Sequence, residues 1–475
     1  MQDMEQYKNV VKKNIEDLIN SNNLEEAKRN LKEYEELAPY DIEVYSIKAV
    51  IAMIERDMNE AEKFLKSGIS IIKDNFDLNY NLAYLYETQE KYIEAYKYYK
   101  KSLEYCNSEI KEQILDNISR LQKIEEVREY KEQPQESSMK VPAIKIFTKV
   151  YNVKEYINEC AESILNQSFK DFEWIVLDNG CTDGTSEILK DYAKKDSRVK
   201  LFKNEVNNII YGIPENKDFI DYFYSLQSEY LCWVDSDDYL DKNFLRDLYI
   251  LAKKYNADIS AGGTEMFNDE NQNLRGTRCP PTFHTNDIAE IGNRFSNFYG
   301  SFRSLWGKLI RTSIYNETVE FARNNKIKIF NGGDTYMCLK FLRYSNSMVS
   351  LNKVLHYYRI RNSSLYQSQV NKNRYLDYLV IYEESKELLE SWNKLDDENL
   401  KFITEVLYFS MRDCIDIATK SRKASLKERI EVITTILSDI KLRKILNDRG
   451  ILINLIDEGI NVLSIIAGEN INSIN

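Results

Sequence analysis

Tyr230-Leu231-Cys232-Trp233-Val234-Asp235-Ser236-Asp237-Asp238 is the stretch on which the reading of this 475-residue chain turns. Five consecutive apolar residues have the length of a strand buried on both faces, and three carboxylates follow within four positions. Like charges so close repel one another. Such a cluster at a strand end is easier to keep ionised beside a divalent cation, and oxygen donors in a chain with few histidines point to Mg2+ or Mn2+. A solvated turn that caps the next helix, Asn243 to Tyr255, explains the same string without a ligand.

Moving toward the N-terminus from this stretch, strands alternate with helices. Ile144–Thr148, Phe172–Leu177 and Val199–Phe202 read as strands, and Glu155–Gln167 and Ser186–Lys195 as helices. That order implies a mainly parallel sheet, whose ligands bind beyond the carboxyl ends of the strands. The loop Asp178-Asn179-Gly180-Cys181-Thr182-Asp183-Gly184 follows its strand directly. Its glycines and short polar side chains suit a tight turn that faces a base or ribose.

Further back the period changes. Ala27, Ala61 and Ala95 recur every 34 residues, with large residues at Leu31, Leu65 and Tyr99 and small ones at Ala49 and Ala83. Paired helices need a small residue where they cross closely and a large one four positions on. The pattern resembles tetratricopeptide (TPR) repeats over residues 1–127, whose concave face would dock a protein acceptor or a second copy of the chain. An ordinary helical bundle is the rival reading. Residues 128–142 are polar, hold Pro134 and Pro142, and read as a linker. Residues 369–475 return to helical periodicity and carry no catalytic string.

Composition narrows the function. Lys and Arg total 65 against 76 Asp and Glu, a formal charge of −11, which argues against nucleic acid or anionic lipid as a partner. No stretch approaches the ~18 uninterrupted apolar residues of a membrane span, and the start lacks a basic segment followed by an apolar run. Seven scattered cysteines without a Cys-x-x-Cys pair suit reduced thiols, so a cytoplasmic protein is expected.

The segment 143–368 resembles the family 2 glycosyltransferases of the GT-A fold, an α/β fold with a Rossmann-like mixed sheet. The strings that carry the resemblance are Val150-Tyr151-Asn152-Val153, Asp178 to Thr185, Asp235 to Asp238, Leu305-Trp306-Gly307-Lys308-Leu309, Gly333-Asp334 and Tyr357 to Ser364. The resemblance implies transfer of a hexose or N-acetylhexosamine, with inversion, from a nucleotide sugar, chiefly UDP-linked. It makes Asp237 the principal metal ligand, with His356 adding to the shell of Mn2+ or Mg2+. Val150, Asn152, Asp178 and Asn179 would line the nucleoside pocket, Asp235 and Asp238 would serve the donor, and Arg359 and Arg361 would meet its phosphates. Asp334 would be the general base, although an Asp there can equally cap the helix Thr335–Arg343.

The chain departs from the family at Asn179, where a second Asp is usual, at Lys149, where Pro is usual, and at Asn207–Lys217, which lacks the family's Arg. The acceptor expected is a protein such as flagellin or another bacterial surface protein. Capsule or cell-wall glycan, and a scaffold bearing a degenerate transferase, are the alternatives.

Overall fold

The computed structural model describes residues 2–106, 108–130, 141–207, 216–225, 227–324, 329, 331–361, 371, 373–420 and 424–472. Most of the expected linker (131–140), the centre of the substituted loop (208–215) and the end of the last string (362–364) lie outside them. Contacts divide the chain into two compact units, Met1–Lys140 with Tyr249–Lys254, and Val141–Leu248 with Tyr255–Asn475.

In the first unit, helices Gln2–Asn20, Leu24–Leu37, Glu43–Ile54, Met58–Ile71, Phe76–Thr88 and Tyr92–Tyr105 follow as three pairs, then Lys111–Leu121 and Glu125–Glu129. Ala27, Ala61 and Ala95 are fully buried, and Leu31, Leu65 and Tyr99 fill the space beside them. The turn inside each pair also repeats. Asn22, Arg56 and Glu90 hold φ of 58°, 63° and 60°, at the same 34-residue interval. This N-terminal helical region fits a repeat. A left-handed residue with a side chain costs roughly 1–2 kcal/mol, and glycine's extra unfolded-state entropy gives back about 0.5–1 kcal/mol. Glu90→Gly should therefore stabilise the unit by about 0.5–1 kcal/mol, read as a higher urea midpoint; a lower one would contradict the strain argument.

The second unit is built on one ten-stranded mixed sheet. Its strands are β1 (Ile144–Val150), β2 (Phe172–Asp178), β3 (Val199–Lys203), β4 (Tyr230–Trp233), β5 (Tyr239–Leu240), β6 (Ile259–Asn268), β7 (Leu274–Arg278), β8 (Phe283–Thr285), β9 (Lys308–Arg311) and β10 (Met348–Ile360). The order is β3-β2-β1-β4-β9-β6-β10-β5, with β7 added to β6 and β8 to β10. β3, β2, β1 and β4 run parallel, joined by helices such as Ile157–Leu165 and Thr185–Lys195. The apolar residues of β2 are buried throughout, as a continuous apolar run in a covered parallel strand requires, and most of those of β1 and β4 are buried too, while the edge strand β3 is only partly covered.

Two features of this sheet create the site. The chain leaves β4, makes the acidic turn, and returns as the two-residue β5, which pairs antiparallel with His356 and Tyr357 of β10. Stacking of Tyr239 on Tyr357 at 4.6 Å fixes that register. A residue pair over a hundred positions apart is thereby set beside the carboxylates. The C-terminal helices Arg374–Ser391, Asp397–Lys420, Leu426–Ser438 and Ile440–Asn447 share one apolar core with the sheet, through Leu388, Met411, Ile433 and Leu446 among others. Among the described residues, no helix is long and apolar enough to cross a membrane.

Candidate active site

The loops after β1 and β2 are laced together by their own polar side chains. Asp178 is buried; its Oδ1 accepts the Cys181 N–H at 2.9 Å and its Oδ2 accepts the Ser186 hydroxyl. Asn179 is buried too, accepting from the Asn204 amide at 2.8 Å and donating to Asn207 Oδ1. Asn152, in the left-handed region at φ 48°, accepts the Thr182 N–H at 2.8 Å, while the Asn179 N–H reaches the Val150 carbonyl. Gly180 has φ +82°, and a Cβ there would lie 2.9 Å from the Val206 carbonyl carbon, so only glycine fits. The expectation that Asp178 and Asn179 turn their side chains toward a base needs correcting. The Asp178 carboxylate is spent on its own turn, and the Asn179 amide on Asn204 and Asn207 of the loop after β3.

In the acidic turn, the three carboxylates meet different fates. Asp235 is an exposed residue, although protein atoms crowd round its carboxyl. Burial of its carboxyl, with Asp238, Asp237 and Asp334 nearby, pushes its pKa well above the usual range. Asp237 Oδ2 holds the Arg361 guanidinium at 2.6 Å. Asp238 is buried; its Oδ1 accepts the Arg359 N–H at 2.9 Å and its Oδ2 stands 3.2 Å from His356 Nε2. The helix-capping reading of Asp238 is thereby excluded. Asp241 starts the helix Phe244–Lys254 instead, accepting the Asn243 N–H at 2.9 Å.

His356 is wholly buried, stacked on Trp306 at 4.8 Å and 13°, with Nδ1 3.3 Å from Thr264 Oγ1. Burial, then the charge of Lys308, lowers its pKa to about 3, so the ring is neutral. In this structure His356 faces Asp238, while Asp237 faces Arg361. No three Asp, Glu, His or Cys side chains converge on one point among the described residues. Yet Asp238 Oδ2 and His356 Nε2 are buried without a well-aligned hydrogen bond. Two such orphaned donor atoms, 3.2 Å apart beside two more carboxylates, fit an O/N-liganded divalent cation.

Arg359 is also placed otherwise than expected. Its Nε donates to the Asp237 carbonyl at 2.9 Å, its Nη1 to Asp269 at 2.7 Å and its Nη2 to Glu159, and Tyr156 lies against its face and bonds Asp269. Every nitrogen that could meet a phosphate is engaged, so Arg359 is a brace for the turn. Arg361 has Asp237 and the Tyr156 ring as its described partners.

Asp334 lies in the first turn of the helix Gly333–Tyr344, whose N-cap is Gly332 at φ 74°, so it is not the cap. Burial raises its pKa and the nearby Lys308 ammonium pulls it back. Asp334 in turn contributes to the rise at Asp235, so both belong to one acidic basin at the end of the sheet. The sequence reading gave no role to Glu159, Asp269, Thr264 or Lys308. Of these only Lys308 lay inside a recognised string; nothing marks the others before the chain is folded.

Comparison with known proteins places this basin in context. The family described as Glycosyl transferase family 2 matches residues 145–319. Glycosyltransferase GlyA of Streptococcus pneumoniae is 30% identical over 244 residues, half of this chain (50%) and 33% of the relative. The poly(ribitol-phosphate) beta-glucosyltransferase of Bacillus spizizenii is 35% identical over 127 residues, 26% of this chain and 19% of the relative. The chain thus spans a third or less of the length of these two relatives. Residues 1–349 of S. aureus TarS in complex with UDP-GlcNAc align with TM-score 0.45 and 19% identity, covering 70% of this chain and 92% of that one. Residues 145–319 thus match the glycosyl transferase family 2 model, in a chain whose N-terminal helices fit a repeat.

Proposed function

We propose that the chain transfers a hexose or N-acetylhexosamine from a UDP-linked donor to an acceptor hydroxyl, with inversion. The observation that carries this reading is the acidic turn after β4, where Asp238 Oδ2 and His356 Nε2 stand buried 3.2 Å apart without a hydrogen bond, in the basin that the charge of Asp334 also reaches. In it, Val150, Asn152 and the inward-turned Asp178 and Asn179 form the nucleoside wall, and Asp235 faces the ribose or donor sugar. Asp237, Asp238 and His356 would hold Mn2+ or Mg2+, which when bound offsets the charge of the diphosphate. Arg361, released from Asp237, reaches the phosphates. Asp334 takes the proton from the acceptor oxygen as that oxygen attacks the anomeric carbon from the face opposite the leaving diphosphate.

The repeat-like N-terminal helices support a protein acceptor, and the free thiols of all seven cysteines support action in a reducing cytoplasm. A wall-polymer acceptor is the second reading, favoured by the likeness to the poly(ribitol-phosphate) glucosyltransferase. Label transfer from UDP-[14C]N-acetylglucosamine or UDP-[14C]glucose to flagellin or to ribitol-phosphate polymer separates them; label in neither, with no UDP released, would end the transferase reading. Asp237→Ala should weaken Mn2+-supported UDP binding tenfold or more, which is about 1.4 kcal/mol or above. Titration calorimetry with and without Mn2+ reads this, and unchanged affinity would remove Asp237 from the metal shell.

A further inference from the structure

Lys308 is an ammonium sealed inside the protein, 1% exposed, on the first residue of β9. Its Nζ donates to the carbonyls of Ser304 and, at 3.1 Å, Trp306, and sits 4.7 Å above the Phe302 ring. Those carbonyls belong to the segment Arg303–Gly307, which touches both halves of the basin. On one side, the Thr335 hydroxyl bonds the Arg303 carbonyl at 3.0 Å and the Cys338 thiol reaches the Ser304 carbonyl at 3.3 Å, both from the helix that bears Asp334. On the other, Trp306 lies flat on His356 of β10, which faces Asp238.

A buried lysine is costly unless its charge is used. Carbonyl dipoles satisfy part of the ammonium, but burial still lowers its pKa. The groups that oppose this are Asp334 and Cys338 on the helix and Cys232 on β4. The neutral ring of His356 is the titratable group that Lys308 influences on β10. Among these, Asp334 is the one that could carry a full negative charge near neutrality.

Resting on the transferase reading above, we propose that Lys308 is a positioning residue for the transfer. It fastens the 303–307 segment between the Asp334 helix and the His356 strand, and from there its charge acts on Asp334 through the helix it helps to seat. Asp334, half-buried and with its pKa raised, can then act as an ionised base.

The test measures UDP release from UDP-N-acetylglucosamine and UDP-glucose in Mn2+ over pH 5–9.5, for the parent, Lys308→Met and Lys308→Gln, with thermal melts of each. Lys308→Met should fold, hold the donor KM within about threefold, and lose about tenfold or more in kcat at pH 7. Its acidic limb should move up by about one pH unit, so that activity returns at high pH. Lys308→Gln, which keeps one carbonyl hydrogen bond without the charge, should show the same limb. An unmoved limb, a loss confined to KM, or unfolding of both variants would overturn the proposal in favour of a purely structural lysine. A parent that releases no UDP from either sugar, beside no binding of UDP, would instead overturn the transferase reading beneath it.

Discussion

Asp334→Asn should bind UDP and Mn2+ as the parent does and turn over about 10²–10⁴-fold more slowly, the range a positioned general base supplies. The substitution keeps shape and hydrogen-bonding reach while removing the group that accepts the proton. Because Asp334 is in the first turn of its helix and not the cap, the amide leaves the helix start intact. The pH dependence follows with a definite sign. Burial sets the native pKa of Asp334 above the usual carboxylate value, and only the ionised form accepts a proton. Turnover of the parent should therefore fall as pH drops through that raised pKa, with a limb displaced above ~4. In Asp334→Asn that limb should vanish from the residual rate. Steady-state kinetics beside calorimetric UDP titration decide it; equal loss of binding and turnover would reassign Asp334 to the donor.

The second large effect lies behind the same helix. Glu384, on the helix Arg374–Ser391, is buried and pairs with Lys340 at 2.8 Å and Arg343 at 3.0 Å, both on the helix of Asp334. The Lys340 and Glu384 side chains are 5% and 8% exposed. Removing one member of such a pair leaves the other charge uncompensated in a low-dielectric setting. Glu384→Ala should therefore cost about 3–5 kcal/mol, lowering the melting point by roughly 5–10 °C. Replacing the pair together by Lys340→Met and Glu384→Leu should recover part of that loss, since an apolar pair pays no desolvation while Arg343, 26% exposed, is left to water. Calorimetric melts of the three variants check this. A single variant as stable as the parent would mean that water reaches Lys340.

Much of this was readable before folding, where the signal is local. The alternation around Ile144, Phe172 and Tyr230 gave the parallel half of the sheet, because strands buried on both faces must be apolar throughout. The alanines at 27, 61 and 95 marked the close helix crossings. What escaped depends on pairing between distant positions. β5 is two residues long and carries no strand signal of its own, yet it delivers His356 to Asp238. Arg359 read as a phosphate ligand because its partners, Glu159 and Asp269, stand 200 and 90 positions away. Asn179 read as a base contact because Asn204 and Asn207, which occupy its amide, belong to the next loop. An isolated charged residue in a motif thus leaves open whether it serves the ligand or the frame, and the frame took Arg359.

The central claim is that the turn Asp235–Asp238 takes a divalent cation and the diphosphate of a nucleotide sugar, with Asp334 across the basin. A crystal of the chain soaked with UDP and MnCl2, measured at the manganese absorption edge, tests it most directly. The account predicts an anomalous peak within coordination distance of Asp237 or Asp238, the diphosphate on its far side, and Arg361 moved from Asp237 to a phosphate oxygen. UDP bound elsewhere, or bound in this basin with Arg361 still on Asp237 and no anomalous peak, would contradict it.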